Sequence, residues 1–103
     1  MTELPWLLAF VLTIGIELPI VAACAARGLR GRAANDSVWA NVLTHPLAWL
    51  AIATGSLPWV PTELGVTLVE ALIYRGVTGL RWARAVTAAL LANCVTASLS
   101  LAW

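Results

Sequence analysis

Charge is scarce in this chain: Asp, Glu, Lys and Arg together make up 11% of its 103 residues, against roughly 25% in soluble domains. Lysine is absent, histidine occurs once and cysteine twice. Cys24 and Cys94 form no C-x-x-C pair, so a redox motif or a cysteine-based metal site has no footing and both read as small apolar residues. The H-E-x-x-H signature is missing, as is any Ser-His or Cys-His nucleophile pattern, which removes the familiar helical metalloprotease and acyl-enzyme designs. With a net charge of +1 and its few basic residues confined to short stretches, the chain is expected to have no nucleic-acid partner.

What remains is apolar. Hydrophobic residues account for 61% and the mean hydropathy is +0.89, more apolar surface than one domain of this length hides from water. Four segments, 4–26, 36–54, 60–76 and 82–102, each approach the roughly 20 residues that cross about 30 Å of hydrocarbon. Asn35, Asp36 and Ser37 offer N-caps for the second, Thr62 and Glu63 suit the first turn of the third, and Gly55 to Pro58, Gly76 and Gly79 supply stops. Short connections force successive helices to run antiparallel, so residues 1–103 are expected to form one all-α, integral membrane, up-down four-helix bundle.

Orientation follows from arginine. Arg27, Arg30 and Arg32 follow the first segment, Arg75, Arg81 and Arg84 lie between the third and fourth, and the second connection has none. Basic loops stay cytoplasmic, which puts both termini outside a bacterial inner membrane and lets the arginines meet anionic headgroups. Trp6, Trp59 and Trp103 then fall at the outer interface and Trp39 and Trp82 at the inner one, with Trp49 deeper. Val21-Ala22-Ala23-Cys24 matches a lipoprotein cleavage pattern, but Glu3, Glu17 and Pro19 are poor choices for a disposable signal, so the segment is expected to remain.

Four polar side chains interrupt the apolar segments. Counted from the inner end of each, Glu17 lies about 13 Å deep, His45 about 13 Å, Glu70 about 9 to 16 Å and Asn93 about 16 Å. A charged group at the bilayer centre costs at least about 2.5 to 3.5 kcal/mol, so such residues normally face the interior and mark a pathway or site. Helical periodicity extends the cluster. Asn41 shares a face with His45, while Glu63, Thr67 and Glu70 form one stripe and Asn93, Thr96 and Ser100 another, both climbing outward; Thr13 stands one turn outward of Glu17. Pro19 and Pro46, beside Glu17 and His45, free the carbonyls of Gly15 and Val42 as extra oxygen ligands.

Glu17, His45 and Glu70 together suit a divalent metal ion, and without metal the same cluster can pass protons. A hydrogen-bonded network that merely fixes packing is the competing explanation, weakened by the cost of burying two carboxyls. The pattern Asn41-x-x-Thr44-His45-Pro46, followed by Glu63-x-x-Val66-x-x-x-Glu70 and an Asn in the last segment, resembles that of small bacterial four-span membrane proteins. The resemblance covers residues 17 to 96, implies the four-span plan and attaches no activity.

Three functions fit. The first is binding or conduction of a cation or protons, with Glu63, Thr67 and Glu70 as entry stripe and Glu17, Asn41, His45 and Asn93 within; a pore of this size is expected to need a homo-oligomer. The second is a membrane-embedded enzyme, metal-dependent or not, acting on a lipid or isoprenoid with His45 or Glu70 as base. The third is an accessory subunit of a larger membrane complex; haem on His45 is conceivable there, with only one axial ligand on offer.

Overall fold

The computed structural model describes residues 6–100, and side chains as far as residue 99. Among them the chain forms four α helices and no strand: α1 (Trp6–Cys24), α2 (Arg30–Ala53), α3 (Trp59–Ile73) and α4 (Trp82–Ser100). A 3₁₀ turn (Arg27–Leu29) leads into α2 and a π turn (Tyr74–Thr78) closes α3. The position expected of Trp103 lies outside the described residues.

α1 and α3 each pack against both α2 and α4, so the helices stand as a closed ring of four. The body measures 39 × 22 × 19 Å, one helix long and two helices wide. The connections carrying Arg27 and Arg81 share one end, the basic end, where guanidinium groups tie off helix termini. Arg84 donates to the carbonyl of Cys24 at 2.9 Å and Arg32 to that of Val77 at 2.6 Å, cations placed where helix dipoles end negative. Arg75 lies over the Trp82 ring at 5.6 Å. Gly79, with φ +88°, wraps the chain back after the π turn, its N–H and that of Leu80 both reaching the Tyr74 carbonyl.

Most large apolar side chains are exposed, and most buried positions are small or polar, Tyr74 and Leu80 being the large exceptions. The interior is small or polar: Thr13, Glu17 and Val21 from α1, Ala33, Ser37, Ala40, Asn41 and Thr44 from α2, Glu70 and Ala71 from α3, and Ala85, Ala88, Ala89, Ala92, Asn93 and Thr96 from α4. Large apolar side chains point outward, among them Leu7, Leu47, Leu64, Leu68, Trp39 and Trp82. The alanine face of α4 is what lets its neighbours approach closely. Two helices, Trp6–Cys24 and the Trp82–Leu99 stretch, are long and apolar enough to cross a membrane. α2, at 24 residues, carries Arg30, Arg32 and Asp36 in its first turns, and α3 has 15 residues.

Two expectations about helix starts fail. α2 begins at Arg30, so Asn35, Asp36 and Ser37 are not caps but lie inside the helix. Asp36 accepts a 2.7 Å hydrogen bond from Thr78 and sits 3.9 Å from Arg32, while Ser37 is buried against the neighbouring helices. The Asp36 carboxylate serves tertiary contacts, which outweigh local capping preference. Thr62 likewise is no cap: α3 starts at Trp59, and the Thr62 hydroxyl donates back to the Pro58 carbonyl at 2.8 Å. Glu63 therefore lies past the first residues of the helix instead of complementing its end.

Candidate functional site

Glu17 and Glu70, on the diagonal helices α1 and α3, are buried to 1% and 0% exposure. Each is met by an asparagine from the helix that follows it. Asn41 donates to Glu17 Oε1 at 3.3 Å and Asn93 to Glu70 Oε1 at 2.5 Å, across separations of 24 and 23 residues. Both asparagines also donate to the carbonyl four residues back, Ser37 at 2.9 Å and Ala89 at 2.8 Å. Two amide protons per side chain are thus both used, which fixes the rotamer that faces the carboxylate.

A threonine one turn further on crosses to the other carboxyl. Thr96 donates to Glu17 Oε2 at 2.8 Å. Thr44 presents its hydroxyl to Glu70, but its proton goes to the Ala40 carbonyl at 2.9 Å. Glu70 Oε2 consequently has no hydrogen-bond partner. The two carboxyls lie close enough to interact electrostatically. A lone buried carboxylate costs several kcal/mol, and here two share one interior with a single oxygen left free to take a proton.

The matching partners expose an internal duplication. Leu4-Pro5-Trp6 precedes Glu17 by the same interval as Leu57-Pro58-Trp59 precedes Glu70. Gly28-Leu29-Arg30 and Gly79-Leu80-Arg81 occupy the two basic connections, and Ala40-Asn41-Val42-Leu43-Thr44 answers Ala92-Asn93-Cys94-Val95-Thr96. The α1–α2 and α3–α4 hairpins are therefore parallel repeats, with the glutamates at equivalent places. Sequence reading missed this, although the two LPW triplets ahead of a glutamate were signal enough.

A cavity of about 180 Å³ opens at the end opposite the basic one, past Trp49, Ile52 and Trp59, and narrows onto Thr13, Glu17, Asn41 and Asn93. Glu63 and Thr96 line its sides. The space is large enough for several waters, with polar groups at its Glu17 end and apolar side chains such as Trp49, Ile52 and Trp59 in the rest of its wall. Glu70 is not among the lining residues and lies one layer behind them.

Of the expected site, Glu17, Asn41, Glu70 and Asn93 are brought together and Glu63 stands at the approach. Thr67 is not: it is half-buried, donates to the Glu63 carbonyl at 2.9 Å and does not line the cavity. His45 lines the same cavity, one helical turn outward of Asn41. Its ring stacks on Phe10 at 5.0 Å and lies 5.8 Å from Trp6. α2 starts at Arg30 instead of residue 36, and it is Asn41 that comes level with Glu17, leaving His45 about 6 Å further outward. Among the described residues no group of three or more His, Cys, Asp or Glu is placed to hold a metal ion. The expected metal set of Glu17, His45 and Glu70 is thus not assembled.

Comparison with protein-family models, curated proteins and solved structures gives no match.

Proposed function

We propose that this protein is a four-span integral membrane bundle that takes up protons from the outer side of a bacterial inner membrane into a site shared by Glu17 and Glu70. The observation that carries the reading is the pairing itself: equivalent carboxyls of two repeated hairpins, buried together behind a cavity open at one end, one oxygen without a partner. A packing network needs only neutral amides and hydroxyls; ionisable groups at this depth are expensive and reserved for pathways.

Membrane insertion is supported by the outward-facing leucines and tryptophans, which match lipid, and by the basic loops gathered at one end. α3 alone is short, but with its π turn it runs from Trp59 to Thr78, about 30 Å at helical rise. Both termini then lie outside with the cavity mouth. All four helices of one chain build the site, so proton uptake requires no second copy. Lipid catalysis with His45 as base has less to work with, because His45 stands one helical turn outward of the Asn41 that meets Glu17.

Purified protein in liposomes containing a pH-sensitive dye tests the proposal. An imposed pH gradient is expected to dissipate faster than in empty vesicles, and Glu17→Gln and Glu70→Gln should return the rate to that background. Variants as fast as wild type would overturn it, and flux of Na⁺ or K⁺ that ignores the pH gradient would replace the proton by a cation. Cysteines at Gly55 and Gly28, labelled from opposite faces of the membrane, check the topology.

A further inference from the structure

The two repeats differ where it matters for getting a proton out of the site. Below Glu17, toward the basic end, come Val21 on α1 and Ala25 just past its end, and α4 faces them with Ala85, Ala88 and Ala89, all buried and apolar. The equivalent positions below Glu70 are Tyr74 and Thr78 in the π turn that follows α3, facing Asp36 and Ser37 on α2. Tyr74, Thr78 and Ser37 are all buried to 1% exposure or less. The apolar half demonstrates that this fold packs without hydroxyls at those places. Packing alone does not require polar groups there.

Their arrangement is a line. Tyr74 follows Glu70 by one helical turn on the same face. Its phenol has Ser37, Glu70, Glu17 and Asp36 as polar neighbours, and neither the phenol oxygen nor the Ser37 hydroxyl has a closed hydrogen bond. Thr78, one turn further, donates to Asp36 Oδ2 at 2.7 Å, and Asp36 reaches the surface beside Arg32. The segment carrying Tyr74 and Thr78 is the π turn, a widened helical turn found often at functional positions.

We infer that Tyr74, Ser37 and Asp36 form the inner exit of the proton path, so that the α2–α3 interface conducts and the α1–α4 interface is sealed. This rests on the proposed proton uptake at Glu17 and Glu70. A proton leaving the Glu70 carboxyl bonds to the Tyr74 oxygen as the phenol's own proton passes to Ser37; Ser37 in turn releases its proton to the Asp36 carboxylate, which gives it to water at the basic end. At each step one O–H bond forms and one breaks, and no hydroxyl keeps a charge. The groups facing this line are Glu17, Glu70, Asp36 and Arg32; α4 contributes none.

The experiment compares wild type, Tyr74→Phe, Ser37→Ala and Glu70→Gln in the same dye-loaded liposomes, alongside labelling of Glu70 by a membrane-permeant carbodiimide as the measure of uptake. Tyr74→Phe and Ser37→Ala should lower flux about a hundredfold, the low end of what a positioned proton-transfer group contributes, while Glu70 labels as in wild type and the unfolding midpoint in detergent is unmoved. Wild-type flux in both variants overturns the exit and leaves uptake standing. Labelling without flux in wild type does the same, since the inner side is then closed. If Glu70 neither labels nor supports flux, uptake and exit fall together.

Discussion

Replacing Asn93 with leucine keeps the branched side-chain skeleton but removes the donor to Glu70 Oε1. Because Glu70 Oε2 is already unpartnered and Thr44 spends its proton on the Ala40 carbonyl, the variant leaves the carboxyl with no closed hydrogen bond. Stranding a buried polar group costs about 1 to 3 kcal/mol, at the upper end here because both oxygens are affected. Pairing Asn93→Leu with Glu70→Leu removes donor and acceptor together, and such double apolar replacements are near neutral. The double variant should therefore recover most of the loss, giving a coupling of about 2 kcal/mol, large beside the roughly 0.6 kcal/mol average for interhelical hydrogen bonds in membranes. Unfolding in SDS followed by helical circular dichroism measures it. The repeated partner supplies an internal control: Asn41→Leu should cost less, since the Asn41–Glu17 bond is 3.3 Å and Glu17 keeps Thr96 at 2.8 Å. Additive losses, or equal effects at Asn41 and Asn93, would refute the reasoning.

Ala92→Leu or Ala88→Leu adds the three carbons beyond Cβ to a helix contact, both alanines being buried, and should destabilise by about 1 to 3 kcal/mol through overpacking in the same SDS titration. Gly79→Ala meets a positive φ of +88° and should cost about 1 to 2 kcal/mol, whereas Gly76→Ala, with open space and no positive φ, should be neutral or better. His45→Phe, replacing a ring stacked on Phe10, is expected to leave both stability and proton flux near wild type; loss of flux would return His45 to the path.

Much of the architecture is legible in the sequence. Gly and Pro stops, arginine clusters and apolar length locate four helices to within a few residues at most ends, and the convergence of Glu17, Asn41, Glu70 and Asn93 follows from midplane depth and helical faces. The exception at α2 shows where such reading breaks. Asn35-Asp36-Ser37 is a strong capping string in isolation, and only the partners Thr78 and Arg32 reveal that Asp36 belongs inside a helix. That single displaced start put His45 with the carboxyls and hid Ser37 from the interior. Tyr74 was invisible for a different reason: one tyrosine near a helix end reads as an interface aromatic until Glu70 is seen one turn above it. Thr67 had the right periodicity but turned its hydroxyl to its own backbone, a choice spacing does not encode.

The most direct test of the shared buried carboxyl site is chemical. A membrane-permeant carbodiimide couples to protonated carboxyls within the bilayer, and mass spectrometry of membranes treated with it is expected to find the adduct on Glu70, lost in Glu70→Gln and not produced by a water-soluble carbodiimide. Label on neither Glu70 nor Glu17, or equal labelling of both by the water-soluble reagent, would contradict the account.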